Sequence, residues 1–248
     1  MKTGIQVSSL KPLLKTPEQV RIAFEQMAAL GYEYVQLQWI DPAVPIADIA
    51  GAMEKTGMKS LGTQDFYMAV MENLEYYVNL NAATGGTWLT VSRIPERCKS
   101  PEGLDLFAGE LTQLQEKLTP LGQKVCLHPV SADFTAVPGM NAVEYLLGKL
   151  PWLELCLDLY HLDKNCDHMP DFIRRYTGRV PMVHFKDHRE GRLVPAGQGQ
   201  VNWEGVTAAC LDAGVHYALA EQESWDRDPY DCLGEALDWL RQEIPAGL

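Results

Sequence analysis

Short apolar or β-branched runs recur along the chain, and each is followed by a stretch whose apolar residues keep helical spacing. The first run is 4–9. Thr16-Pro17-Glu18 then supplies an N-cap, a first-turn proline and an acid, opening a helix with Val20, Ile22, Ala23, Phe24, Met27 and Leu30 that Gly31 closes. The pattern predicts a strand over 32–39, a helix over 45–55 ended by Gly57, a strand over 58–64 and a helix over 67–83. Gly85-Gly86 punctuates the chain before a fourth strand, 87–92.

The second half repeats the scheme. Ser100-Pro101-Glu102 starts a long helix reaching to about 119, followed by a strand over 124–128 and a helix over 141–150. A strand over 153–158, a short helix over 170–176 and a strand over 180–184 come next. After a glycine-bearing loop, a helix from about 203 to 213, an eighth strand over 217–221 and a last helix over 229–243 complete the series.

Eight strand–helix pairs point to an α/β protein folded as a single (β/α)8 barrel over 1–248, a fold of ~250 residues as a rule. The strands read as near-continuous apolar runs, as buried parallel strands should. The alternative, an open doubly wound sheet, calls for a glycine-rich phosphate fingerprint after the first strand, and the turn there is SSLKP. Two longer irregular stretches, 129–140 and 186–201, both follow strands, the side on which barrel enzymes keep their chemistry.

Composition narrows the function classes. Apolar residues make up 46% of the 248, and charged residues 22%, which excludes a disordered or collagen-like chain. The 33 acids outnumber the 21 bases, for a net charge of -12. A field of that sign repels phosphate backbones and anionic lipid, so neither nucleic acid nor a membrane surface is an expected partner. No apolar run approaches the ~20 residues that span a bilayer. MKTGIQVSSL lacks an apolar signal core, so no export signal is read and a cytoplasmic location is expected. Cys98, Cys126, Cys156, Cys166, Cys210 and Cys232 are widely spaced without a C-x-x-C pair, which suits reduced thiols better than disulfides or a zinc knuckle.

Candidate chemistry lies at the strand ends. Strand five ends in Cys-Leu-His128, strand six in Cys-Leu-Asp158 with His161 three residues on, and strand seven runs Val-His184-Phe-Lys186-Asp187-His188. Strand eight ends in Leu-Ala-Glu221-Gln-Glu223. In a barrel these ends share one mouth, so His128, Asp158, His184 and Glu221 form a candidate metal site for Mn2+, Mg2+, Co2+ or Zn2+. Singly, each has a plainer reading: His128 as a hydrogen-bonded core histidine, Asp158 as a helix cap, Glu221 as the partner of an arginine. Together, unpaired acids in a partly desolvated mouth favour the metal.

The order of GYEYVQL, LDLYH, GRVPMVHFKD, GQGQVNW and ALAEQE resembles the xylose isomerase-like TIM barrels, in particular the sugar phosphate isomerases/epimerases. The resemblance covers nearly the whole chain, and its H-x-K-D and D-x-x-H elements are the most specific parts. It implies a divalent ion held by acids from strands five, six and eight and a histidine from strand seven, hence Asp158, His184 and Glu221 here. Strand five departs from the pattern, because many relatives end it in a glutamate that binds metal and moves protons. LHPVSADF instead resembles an H-N-H-x-x-E-F variant, leaving His128 as the ligand and Asp133 as a weaker candidate for the missing acid.

The implied substrate is a small keto sugar, polyol or sugar derivative. An enediolate formed by removing the proton beside its carbonyl leads to isomerisation or epimerisation. The same intermediate can lose a β-substituent, so a dehydratase or lyase acting on a keto-inositol or 3-keto-glycoside is the alternative. Glu221, His161 and His188 are candidate proton carriers, and Lys186 a candidate oxyanion partner unless it merely pairs with Asp187 or Asp158. Asp187 is a candidate acceptor for a ligand histidine. Trp39, Gln64 and His188 are the candidate substrate contacts, with Gln38, Phe66, Tyr67 and Trp225 nearby at strand ends. Arg93 and Arg97, after strand four, are read either as receivers of a carboxylate or phosphate or as solvated loop residues. Gly197-Gln198-Gly199 resembles the family's G-E-G loop, and His168 and His216 fall outside the pattern. Two competing readings are abasic-site DNA cleavage on the same fold, disfavoured by the charge, and a non-catalytic barrel subunit. Barrels of this group often pair, so a homo-oligomer is compatible with the resemblance.

Overall fold

The computed structural model describes residues 1–244; the last four residues of the expected 1–248 domain lie outside them. Along the chain the elements are β1 (Lys2–Gln6), α1 (Pro17–Leu30), β2 (Tyr34–Leu37), α2 (Ile46–Thr56), β3 (Lys59–Phe66), α3 (Tyr67–Glu72), α4 (Leu74–Thr84), β4 (Trp88–Ser92) and α5 (Pro101–Leu118). There follow β5 (Lys124–His128), α6 (Ser131–Phe134), α7 (Ala142–Lys149), β6 (Glu154–Asp158), α8 (Leu159–Asp163), α9 (Met169–Arg175) and β7 (Met182–Phe185). The series ends with β8 (Asp187–Arg189), β9 (Arg192–Val194), α10 (Val206–Asp212), β10 (Tyr217–Ala220) and α11 (Pro229–Glu243). Strands β1 to β7 and β10 pair in parallel, and β10 returns to β1 to close the barrel. Strands β8 and β9 form a separate antiparallel hairpin.

Alternation along each strand sorts the residues into two cores. In β6, Leu155 and Leu157 pack outward into the large layer between barrel and helices, which also takes Val183 and Phe185 of β7 and Phe24, Phe107 and Leu111 of the helices. The intervening Cys156 joins Tyr34, Leu61, Cys126, Met182 and Leu219 in a small inner plug. Above the plug the inward positions turn polar: Gln6, Gln36, Thr90 and His184 are all fully buried. The apolar runs of the sequence are therefore continuous only on the outer face. Gly62 marks the one shift in β2–β3 register; its φ of 142° and the Trp88 carbonyl against it leave no room for a side chain.

Thr16 and Ser100 cap α1 and α5 as expected, accepting from the amides of Gln19 and Gly103. Five expected segments differ. The first strand stops at Gln6, and Val7–Leu13 turns into a 3-10 segment that brings Ser8 and Ser9 under the mouth. The helix expected over 67–83 breaks at Asn73, whose φ of -132° is not helical. The stretch 186–201 contains the β8–β9 hairpin, and 129–140 contains α6. Finally, α10 begins at Val206, because Trp203 is drawn out of the helix to stack on Phe185 and donate to Asp187. No helix among the described residues is long and apolar enough to cross a membrane.

Candidate metal centre

The four strand-end candidates meet. One ligand atom from each of His128, Asp158, His184 and Glu221 lies within 4.8 Å of all the others, and all four residues are buried. His128 and Asp158 end β5 and β6, His184 lies one residue short of the end of β7, and Glu221 follows β10 directly. Parallel register keeps the groups level, with Asp158 opposite His184 across the β6–β7 pair.

Each side chain is held by one polar atom and has another left over. His128 Nδ1 is 3.2 Å from Ser92 Oγ on β4. Asp158 Oδ1 accepts from the amides of Tyr160 and His161 as the N-cap of α8. His184 Nε2 is 2.7 Å from Gln36 Oε1, and Glu221 Oε1 accepts from Ser8 Oγ at 3.1 Å. The leftover atoms, His128 Nε2, Asp158 Oδ2, His184 Nδ1 and Glu221 Oε2, are buried without a hydrogen-bond partner. His184 Nδ1 and Glu221 Oε2 are 2.9 Å apart but lack a hydrogen bond's alignment. Two donors each ~2.1 Å from one ion, at a right angle, stand about that far apart.

This donor set fits a divalent cation. An orphaned buried polar atom costs ~1–3 kcal/mol, and an orphaned carboxylate oxygen more. A shared positive ion removes that cost from all four at once. Two imidazoles and two carboxylates suit a borderline ion of the Mn2+, Co2+ or Zn2+ kind as well as Mg2+.

The charges around the cluster are ordered. Burial, seconded by the neighbouring His184, holds the His128 imidazole well below the usual histidine range and so favours its neutral form. Burial likewise lowers His161, against the pull of Asp158. For Glu221, burial is outweighed by Lys186 and His184, and its carboxyl sits well below the usual range. Burial disfavours the Lys186 ammonium, but Glu221, Asp158 and Glu223 outweigh it and hold the proton on. Glu223 is pushed up to about 7, chiefly by burial and the Glu221 charge.

Lys186 Nζ lies 2.6 Å from Glu223 Oε2 and 3.7 Å from Asp158 Oδ2, so it pairs most closely with Glu223 and, as one of the expected alternatives had it, with Asp158, and not with Asp187. His161 sits with Nε2 3.6 Å from Asp158 Oδ2 and Nδ1 2.9 Å from Ser131 Oγ. It lines a cavity of about 500 Å3 that also touches Ser92, Phe66 and Arg93. Trp39 and Gln64 lie together in a second, smaller cavity of about 220 Å3 with Lys11 and Asp65. Trp39 is held there at a left-handed φ of 57°, under the Lys11 ammonium. Gln64 donates to Gln38. His188 lies apart from the cluster, edge-on to Tyr160 at 5.1 Å.

Several sequence readings are corrected. Asp133 is not a spare acid: its two carboxylate oxygens accept from the amides of Ile94 and Val130. Asp187 orients no histidine. It is fully buried and accepts from the amides of His188, Gly197, Gly199, Gln200 and Val201 and from Trp203 Nε1. The Gly197-Gln198-Gly199 turn therefore wraps a carboxylate of its own chain, and a Cβ on Gly199 would strike it. Arg97 is taken by both oxygens of Glu110. Trp225 donates to the Ser9 carbonyl, and Tyr67 donates to Glu110. His168 and His216 fall outside the cluster as expected, His168 pairing with Asp171 at the surface and His216 lying at the opposite end of the barrel beside Tyr217. Ser8, Gln36 and Ser92 are given no role in the sequence reading, and Glu223 enters it only as part of a strand end without a role, although a polar residue at an inward position of an apolar strand is the signal that marks Gln36 and Ser92.

A closed parallel barrel with its polar cluster at the C-terminal strand ends defines the class as (β/α)8. The chain belongs to the xylose isomerase-like TIM barrel family, whose sequence profile matches residues 24–243. No curated protein sequence matches it. Among solved structures it is similar to a sugar phosphate isomerase/epimerase from Parabacteroides distasonis, at 16% identity and a TM-score of 0.80 over 97% of this chain and 98% of that one. It is similar to a D-allulose 3-epimerase from Methylomonas sp. in complex with D-allulose, at 17% identity, TM-score 0.76, and 98% and 97% coverage. A 3-keto-D-glucoside 4-epimerase from E. coli aligns at 18% identity, TM-score 0.73, and 98% and 99% coverage. At such identities the likeness is one of fold.

Proposed function

We propose that the protein is a divalent-metal-dependent isomerase or epimerase of a small keto sugar or sugar derivative, acting through an enediolate. The observation that carries this reading is the set of four orphaned donor atoms, one from each of four strand ends, aimed at one point in a cavity-bearing mouth. The sugar class is supported by structural neighbours described as sugar epimerases, one of them holding D-allulose.

A divalent ion supplies, when bound, positive charge that stabilises an oxyanion and acidifies the neighbouring C–H. In this reading His128, Asp158, His184 and Glu221 hold it, while Ser92, Gln36 and Ser8 fix the orientation of three of them. Glu221 is an ionised carboxylate whose Oε2 faces the ion, which leaves Oε1, beside Ser8 Oγ at 3.1 Å, as the oxygen that takes a proton. His161, neutral and facing the larger cavity, is suited to relay one, giving it up at Nε2 as it takes another at Nδ1 through Ser131 Oγ. Lys186, kept protonated by its acids, neutralises charge developing beside Asp158.

The test is proton exchange. Metal-stripped protein is given Mn2+, Mg2+, Co2+ or Zn2+ in D2O with a panel of ketoses, keto-inositols and 3-keto-glycosides, and products are read by NMR. Metal-dependent deuterium at the carbon beside the carbonyl, lost in Glu221→Gln, is the expected result. An unsaturated product from the same panel points to the dehydratase or lyase alternative. Failure to bind any of the four ions overturns the reading.

A further inference from the structure

The larger cavity has a charge character that the cluster does not explain. Its charged and imidazole lining is Arg93, Glu96, Lys99, Asp133 and His161. Its acids are already committed. Glu96 pairs with Lys99 at 2.6 Å, and Asp133 spends its two oxygens on backbone amides. Arg93 is different. Among the described residues its guanidinium makes no ion pair and no hydrogen bond, in a chain where 33 acids face 21 bases. Arg97, four residues on, found Glu110.

Arg93 is also preset. Its φ of 67° is left-handed, a conformation that costs a non-glycine residue ~1 kcal/mol or more. The side chain is exposed, and its guanidinium lies over the Phe66 ring at 4.4 Å with its N–H groups untaken. It adjoins the cluster in sequence and in space: the preceding residue, Ser92, is the one whose hydroxyl meets His128.

We infer that Arg93 is the anion-recognition residue of this mouth, and that the substrate is an anionic sugar derivative whose carboxylate or phosphate docks on the Arg93 edge while its carbonyl end reaches the cluster. A planar guanidinium fork is the side chain that recognises such oxyanions in two-point fashion. This deepens the proposed function and rests on it for the position of the carbonyl. In kinetics, Arg93 is a specificity residue that binds the remote end of the substrate.

The experiment has two arms. In the first, the metal-loaded enzyme is assayed on neutral ketohexoses, ketohexose phosphates and ketohexuronates, as wild type, Arg93→Gln and Arg93→Lys. The expected result is that one anionic class is preferred, and that Arg93→Gln raises KM for it about 10- to 100-fold with little change in kcat and no change for neutral sugars. Arg93→Lys restores part of the loss. In the second arm, binding of inorganic phosphate and of glucuronate to metal-free wild type and Arg93→Gln is measured by calorimetry and NMR. Wild type is expected to bind one of them more tightly than the variant, and which one distinguishes phosphate from carboxylate. Equal binding by both proteins, or an unchanged KM in Arg93→Gln, overturns the inference while leaving the metal chemistry standing. Loss of metal-dependent proton exchange with every sugar sinks the parent reading, and the second arm still decides Arg93.

Discussion

His184 Nε2 stands 2.7 Å from Gln36 Oε1, and that contact decides which ring nitrogen faces the cluster. Gln36 is itself pinned: its Oε1 also accepts from Gln6 Nε2 at 2.9 Å, and its Nε2 donates to Thr90 Oγ1 at 3.0 Å. With oxygen toward the imidazole, the proton belongs on Nε2 and the lone pair on Nδ1, the atom left unpartnered. Gln36→Leu removes the acceptor and is expected to weaken Mn2+ or Zn2+ binding about 10- to 100-fold. Gln36→Glu keeps an acceptor in place and should retain most of the affinity. Calorimetric titration of the stripped proteins, with nitrogen NMR of the histidine tautomers, checks both. Equal affinity in wild type and Gln36→Leu would remove Gln36 from the site.

The same four orphaned atoms predict a linkage between metal and stability. An ion that binds the folded cluster and not the unfolded chain adds RT ln(1 + [L]/Kd), about 2.7 kcal/mol at one hundred times Kd. Chelation should lower Tm, and Mn2+ or Zn2+ should restore it in a concentration-dependent way. Glu221→Gln removes a charge that Lys186 and His184 stabilise, and Asp158→Asn weakens the α8 cap and the contact with Lys186. Their stripped forms are expected to melt at or below the stripped wild type and to lose the metal-dependent rise. A wild-type Tm indifferent to chelator and to all four ions contradicts this.

Strand-end histidines and acids are conspicuous in a sequence because they interrupt apolar runs at one recurring place, and so His128, Asp158, His184 and Glu221 could be picked out along with the barrel that unites them. Their supports could not. Ser8 lies beyond the end of β1, in a segment whose 3-10 turn depends on tertiary packing. Asp133 and Asp187 were misjudged for a related reason. A carboxylate satisfied by backbone amides has no partner residue type to betray it, and the wrapping of 197–203 around Asp187 exists only in three dimensions. The break at Asn73 is invisible in the same way, since the apolar spacing runs straight through it.

Titration of His128 gives a signed prediction. Burial holds its folded pKa well below 6.5, so between 6.5 and the folded value the unfolded chain binds a proton that the folded one does not. The contribution is present above pH 6.5 and is lost as pH falls below it. The slope is up to ~1.4 kcal/mol per pH unit for one proton. Urea unfolding of chelator-treated protein from pH 7.5 to 5.0 should show the wild type losing stability faster than His128→Gln, with the difference gone above pH 7. Parallel pH profiles for the two proteins contradict a buried neutral imidazole. Metal affinity should follow the same sign, because protons compete with the ion for Nε2 only in the acid range.

Asp187 provides the last prediction, and it separates scaffold from chemistry. Its carboxylate gathers the amides of Gly197, Gly199, Gln200 and Val201 and the Trp203 indole into one buried knot beneath the β8–β9 hairpin. Asp187→Asn keeps the shape but replaces one accepting oxygen by a donor that faces other donors. Charge-assisted hydrogen bonds contribute ~1.5–3 kcal/mol each, and a buried donor left over costs about as much. Asp187→Asn is therefore expected to destabilise by ~3 kcal/mol or more and to make 195–203 the first site of limited proteolysis. Asp187 makes no hydrogen bond to any of the four cluster residues, so at a temperature where the variant remains folded its Mn2+ affinity should stay within about threefold of wild type, a factor worth ~0.7 kcal/mol. A variant that keeps its Tm but loses the metal would instead return Asp187 to the ligand-supporting role that the sequence suggested.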